Sequence, residues 1–160
     1  MLTPATSSDF HFFYSLYMHP QVNPYLLYEM MEEESFEPVF SDLLQQNILY
    51  KYVAGDVPVG MCKLIQLKHR NGHILYLGGL AIDPAHAGKN YGLKLMQEII
   101  AYAKEQNILR IELSVSVENI RAINLYKKAG FEVEGVLRKY THLKSEERFI
   151  DEALMSYILP

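Results

Sequence analysis

The chain has 160 residues, of which 49% are hydrophobic and 21% charged, and a net charge of −4. That composition fits one globular domain with its own core and excludes a disordered chain, and the slight acidic balance offers no basic face for nucleic acid. A single cysteine, Cys62, excludes an internal disulfide framework and a paired-cysteine metal site; no apolar run approaches the ~18 residues of a membrane span, and Met1-Leu2-Thr3-Pro4 carries no leader or lipidation pattern, so the sequence reads as cytoplasmic.

Residues 2–6 read as a short strand. Thr6-Ser7-Ser8-Asp9 then offers capping residues to an aromatic-rich segment, Phe10 to Tyr17, which Pro20 and Pro24 bring to an end. Residues 21–34 read as an irregular or helical connection. Ser35 to Gln46 carries Phe36, Val39, Phe40, Leu43 and Leu44 at helical spacing. Strands follow over 48–54 and 57–67, joined at Ala54-Gly55-Asp56, with Cys62 as a small buried residue of the second. Arg70-Asn71-Gly72 is a second turn signal with the Asn-Gly pair of tight hairpins. The nearly all-apolar run 73–82 predicts a central strand covered on both faces.

Gly88 to Gln106 then reads as a helix with Leu93, Met96, Ile99, Ile100 and Ala103 on one face. Residues 109–117 alternate as a strand. A second helix runs from about Asn119 to Ala129, with Gly130 at the left-handed closing position, and strands over 131–140 and 147–158 finish the chain. This order predicts an α+β fold. Its central sheet is mixed, mostly antiparallel and flanked by helices, in a single domain with at least one parallel crossover.

Two segments carry the chemistry. The strand ending at Ile82 runs into Asp83-Pro84-Ala85-His86-Ala87-Gly88-Lys89-Asn90-Tyr91-Gly92 and then into a helix. Free N–H groups at a helix start attract anions, and glycine lets backbone approach a phosphate closely. The same residues also suit an ordinary strand-to-helix loop. The segment lacks both the P-loop and the dinucleotide fingerprints. In the second segment Asn119 stands where strand gives way to helix, and its plain role is a helix cap. Tyr126 lies about two turns further on and faces either core or cleft.

These two segments, with Asn119, Ala122, Leu125-Tyr126, Ala129-Gly130-Phe131, Glu134-Gly135-Val136-Leu137-Arg138 and a late Phe149 to Met155 run, resemble the GCN5-related N-acetyltransferases over roughly residues 48–158. The ribosomal-protein and spermidine acetyltransferase-like branch is the most similar. The resemblance implies the acyl-CoA N-acyltransferase fold, acetyl-CoA as cosubstrate, no metal, and direct acetyl transfer to a small-molecule or peptide amine. It implies pairing of the backbone of Leu80, Ala81 and Ile82 with the pantetheine arm, and a pyrophosphate held by N–H groups from Ala87, Gly88, Lys89, Asn90, Tyr91 and Gly92. The N–H of Leu80 or Ala81 would polarise the thioester carbonyl. Asn119 would bond the pantetheine region, and Tyr126 would act as general acid to the departing thiolate. The family pattern Gln/Arg-x-x-Gly-x-Gly/Ala reads here with Ala87 in its first position and Asn90 at its first glycine; Asn tolerates left-handed backbone. Family members also form homodimers.

The run supplies no carboxylate on strand 73–82 to act as base. Asp83, Glu112, Glu29, the run Glu32 to Glu34, His73 and His142 are the candidates, with water as an alternative proton sink. Two other readings stand beside the enzyme: a non-catalytic acyl-CoA-binding module that keeps the fold, and an interaction protein pairing through its last strands.

Overall fold

The computed structural model describes residues 1–160. In chain order the elements are β1 (Leu2–Pro4), α1 (Phe10–Tyr17), α2 (Glu33–Gln45), β2 (Leu49–Ala54), β3 (Val57–Gln66), β4 (Ile74–Ile82), α3 (Tyr91–Glu105), β5 (Arg110–Ser116), α4 (Ile120–Lys128), β6 (Glu132–Leu143) and β7 (Arg148–Ile158). The strands form one sheet in the order β1-β2-β3-β4-β5-β7-β6. Every neighbouring pair is antiparallel except β4 and β5, which α3 connects as a parallel crossover. The mixed, mostly antiparallel sheet flanked by helices agrees with the sequence reading, and β4 lies at its centre.

Each face of the sheet has its own core. Alternation along β5 turns Ile111, Leu113 and Val115 toward α3, where Leu95, Met96, Ile99 and Ala103 meet them. On the opposite face α1 and α2 bring Phe13, Leu16, Tyr17, Phe36, Phe40 and Leu43 against Leu49, Met61 and Ala81. The second core is largely aromatic, with the Tyr17 and Phe36 ring centroids 5.2 Å apart. Cys62 is fully buried, as its strand position implied.

β4 changes phase halfway. Leu75 and Leu77 face the α3 core, yet Ala81, also an odd position, faces the α1/α2 core. The pairing with β3 shifts between Met61 and Lys63, and Gly79 takes φ +54°, a conformation that favours glycine. This bulge inserts one extra residue and turns the rest of the strand over.

Several boundaries differ from the sequence expectation. The connection 21–34 is irregular apart from a short 3-10 turn at Asn23–Tyr25, and α2 starts two residues early, at Glu33. The β3–β4 link is not an Asn-Gly tight turn: His69 takes the positive φ (+57°) and Gly72 stays at −61° in a 3-10 connection. α3 starts at Tyr91, not Gly88, because Gly88 (φ +79°) and Asn90 (φ +61°) hold the preceding loop in left-handed backbone. Leu95, not Leu93, completes the buried face of that helix, and Leu93 lines a cleft instead. Gly130, at φ +96°, closes α4 as expected.

Candidate active site

The centre of the sheet is split. β4 and β5 pair only over Ile74–Tyr76 and Arg110–Glu112. Beyond that point both strands continue, to Ile82 and Ser116, without pairing to each other. The bulge at Gly79 redirects β4, so a wedge opens between two backbones that would otherwise be hydrogen-bonded neighbours.

A cleft of about 530 Å³ fills the wedge on the α3/α4 side. Leu80, Ala81 and Ile82 line it, followed by Ala87, Gly88, Asn90, Tyr91 and Gly92, and across from them Asn119 and Tyr126. Of the positions named from sequence only Lys89 is absent from the lining; its side chain is exposed. The loop arrives at α3 with Asn90 as cap residue in left-handed conformation and no side chain bonded across the helix start. The α3 amides and dipole therefore face an end of the cleft that has no acidic side chain, the arrangement that attracts an anion. Gly92 lets α3 and α4 approach closely: a Cβ there would meet Leu125 Cδ2 at 3.1 Å.

Asn119 caps α4, its Oδ1 accepting from the Ala122 amide at 3.1 Å. The cap uses only Oδ1, leaving the Nδ2 donors for a cleft occupant. Tyr126 is 6% exposed. Burial raises its phenol above the ordinary range, with Cys62 and Tyr76 adding to the effect, so the hydroxyl stays protonated at neutral pH.

A second cavity, about 390 Å³, opens on the α1/α2 side. It shares Tyr25, Leu26, Gly79, Ser114, Ser116 and Glu152 with the first, so the two meet at the wedge. Glu152, on β7, is the one carboxylate lining either cavity. Its Oε1 accepts from the Thr141 hydroxyl at 2.6 Å. The sequence reading assigned it no role; Asp151 stands beside it in β7, so the local sequence does not single out Glu152. His86 and Arg121, also unassigned, line the first cleft, and His86 Nδ1 is buried without a partner.

The other base candidates lie elsewhere. Asp83 accepts from the Ala85 amide at 2.9 Å and shapes the loop. Glu112 is bound to Arg110 Nε at 2.8 Å. Glu29 accepts from the Lys144 amide at 3.1 Å, Glu33 pairs with His11, and neither Glu32 nor Glu34 lines either of these two cavities. His142 stacks on Phe149 at 4.4 Å, and His73 is exposed.

The family model for the acetyltransferase (GNAT) family matches residues 10–131. The chain belongs to this family. The L-amino acid N-acetyltransferase AaaT of Escherichia coli is 32% identical over 107 residues, covering 66% of this chain and 64% of that protein. The spermidine N(1)-acetyltransferase of Vibrio cholerae is 27% identical over 136 residues, covering 81% and 76%. The crystal structure of a Vibrio cholerae spermidine N-acetyltransferase in complex with CoA and spermine superposes with a TM-score of 0.84 at 24% identity, covering 99% of this chain and 94% of that one. The fold of this GNAT chain is thus that of known family structures. No helix in it is long and apolar enough to cross a membrane.

Proposed function

We propose that the chain is an acetyl-CoA-dependent N-acetyltransferase that passes the acetyl group directly to a primary amine. The observation that carries this reading is the wedge between β4 and β5, continuous with the uncapped start of α3. A pantetheine arm is an extended chain of amides, and the unpaired backbone of Leu80 to Ile82 suits it as a partner strand would. Main-chain N–H groups from Ala87 to Gly92 suit the pyrophosphate, and most of that recognition needs no side chain. The left-handed Asn90 supplies the backbone shape for which the family uses glycine.

The chain's own residues then have distinct tasks. The N–H of Leu80 or Ala81 polarises the thioester carbonyl. Glu152 takes the proton that the ammonium form of the acceptor sheds, directly or through water. The amine lone pair forms the C–N bond, the C–S bond breaks, and its electron pair leaves on sulfur. Tyr126 gives its hydroxyl proton to that sulfur, the nitrogen passes its second proton through water to the Tyr126 phenolate as the neutral amide forms, and Glu152 releases its proton to solvent. The chain is read as cytoplasmic and dimeric, the latter through the exposed β6 edge, where Val133 and Val136 are uncovered. A non-catalytic acyl-CoA-binding module has less support, because a phenol and a carboxylate both line the wedge.

Calorimetric titration with acetyl-CoA tests the reading. Micromolar binding is expected, weakened by roughly tenfold in Asn119→Ala, which removes both the Nδ2 donors and a helix cap that contributes about 1 kcal/mol. No binding to the wild-type protein would overturn it.

A further inference from the structure

The second cavity contains a lysine in an unusual position. Lys63 lies in β3, between Cys62 and Leu64, and is only 9% exposed. No carboxylate pairs with it: the ion pairs of the chain are made by other residues. The Tyr28 ring, 5.7 Å from Nζ, is its aromatic neighbour. Burial lowers its pKa, as expected of an ammonium taken from water without a counter-ion.

A second unpaired donor lies beside it. The Tyr17 hydroxyl is buried and has no hydrogen-bond partner. A Cβ built on Gly79 would lie 3.3 Å from Lys63 Cε and 3.6 Å from this hydroxyl, so the bulge glycine, the ammonium stem and the phenol converge on one spot. Lys63 and Tyr17 both line the second cavity. Buried polar groups normally find partners, and two donors without an acceptor at the same wall describe an anion seat.

On this basis, and resting on the N-acetyltransferase reading above, we propose that the acceptor is an α-amino acid with an apolar side chain: its carboxylate is received by Lys63 Nζ and the Tyr17 hydroxyl, and its amine by Glu152 at the wedge. The cavity offers one cation and one anion, the complement of a zwitterion. Leu26, Leu27, Ile65 and Ile150 supply apolar wall for the side chain. A polyamine fits poorly, since one of its ammonium groups would share the cavity with Lys63 and like charges there repel. In the transfer the ammonium nitrogen loses one proton to Glu152, bonds to the acetyl carbon as the C–S bond breaks, and passes its second proton through water to Tyr126 as the neutral amide forms. Sulfur keeps the electron pair and takes a proton, giving an N-acetylamino acid and the CoA thiol; the carboxylate takes no part in the chemistry.

The test is a matched set of acceptors assayed with acetyl-CoA: L-phenylalanine, L-leucine and L-methionine, phenethylamine as L-phenylalanine without its carboxylate, and spermidine. The expected result is kcat/KM for L-phenylalanine at least tenfold above that for phenethylamine. Lys63→Met should cut kcat/KM for L-phenylalanine about tenfold or more, mainly through KM, and leave phenethylamine within about twofold. Tyr17→Phe removes one hydroxyl without a change of shape, so it is informative even if Lys63→Met fails to fold. It should raise KM for the amino acid several-fold and leave phenethylamine unchanged. No turnover of the three amino acids, or equal losses on both acceptors in either variant, overturns the inference. Acetyl-CoA binding separates the two levels: if acetyl-CoA binds and phenethylamine or spermidine alone is acetylated, the amino-acid acceptor is wrong and the acetyltransferase reading stands.

Discussion

On the α3/α4 side of the sheet most of the cleft wall comes from two stretches, Leu80 to Leu93 and Asn119 to Tyr126, and Val22, Tyr25, Leu26, Ser114 to Ser116 and Glu152 complete it at the wedge. On the α1/α2 side the cavity draws Tyr17, Leu26, Lys63, Tyr140 and Glu152 from five separate parts of the chain. The first wall includes an unpaired strand half, a left-handed loop and a helix start. The second is mainly side chains on an aromatic core. A carrier common to a whole family can be held by main-chain geometry that tolerates Ala87 and Asn90, whereas an acceptor that varies among members has to be chosen by side chains, which change without disturbing the sheet.

Variants on each side can break this comparison. The largest expected effect is from Phe36→Ala. Phe36 is fully buried among Phe10, Tyr14, Tyr17 and Phe40. Its loss should cost about 3–5 kcal/mol in urea unfolding and leave acetyl-CoA affinity of the folded protein unchanged. A parallel fall in cofactor affinity would mean that the two sides are not separable.

Tyr126→Phe comes next. It should lower kcat about 100-fold, with acetyl-CoA affinity from calorimetry within about twofold of the parent. Unaltered turnover would remove Tyr126 from the acid role and leave its side of the site with binding alone.

The smallest effect concerns a region outside both cavities. Glu134 on β6 receives two hydrogen bonds from Arg110, each 2.7 Å, and one from Ser156. These bonds, Arg110 first, hold its carboxyl down from the ordinary 4.5 to about 2. Because the folded value is the lower one, the stabilisation is present at neutral pH and is lost as pH falls from about 4.5 toward 2. Glu134 is 38% exposed, so water screens the pair and Glu134→Gln should cost no more than about 1 kcal/mol at pH 7. Thermal melts of parent and variant should converge by about pH 2, with acetyl transfer the same in both.

The legibility of the sequence follows the same division. Whether Tyr126 faces core or cleft stays open in the sequence, but the order of strands and helices and the Asn119 cap could be read because each depends on neighbours a few residues away. Glu152 and Lys63 could not. Glu152 reaches the wedge through antiparallel pairing of β7 with β5, and its immediate sequence says nothing of that partner. Lys63 is the one charged residue in the β3 run Val57 to Gln66, and such a residue normally marks the solvent side of a strand. The turn at Asn71-Gly72 misled because His69 absorbed the positive φ first, and the start of α3 misled because helix periodicity says nothing of a left-handed Asn90. The bulge at Gly79 left only two adjacent glycines in a strand as its trace.

The half-paired β4 also has a consequence for motion. Its first three residues are bonded to strands on both sides, whereas Leu77 to Ile82 have a neighbour only in β3. Amide hydrogens in the second half that face the wedge should exchange with solvent faster than those of Leu75 and Tyr76, which follows from local opening rather than global unfolding. Acetyl-CoA in the wedge would close this gap, and at a hundredfold excess over its Kd it would add about 2.7 kcal/mol to the folded state. The protein's resistance to unfolding would then track the acetyl-CoA concentration around it.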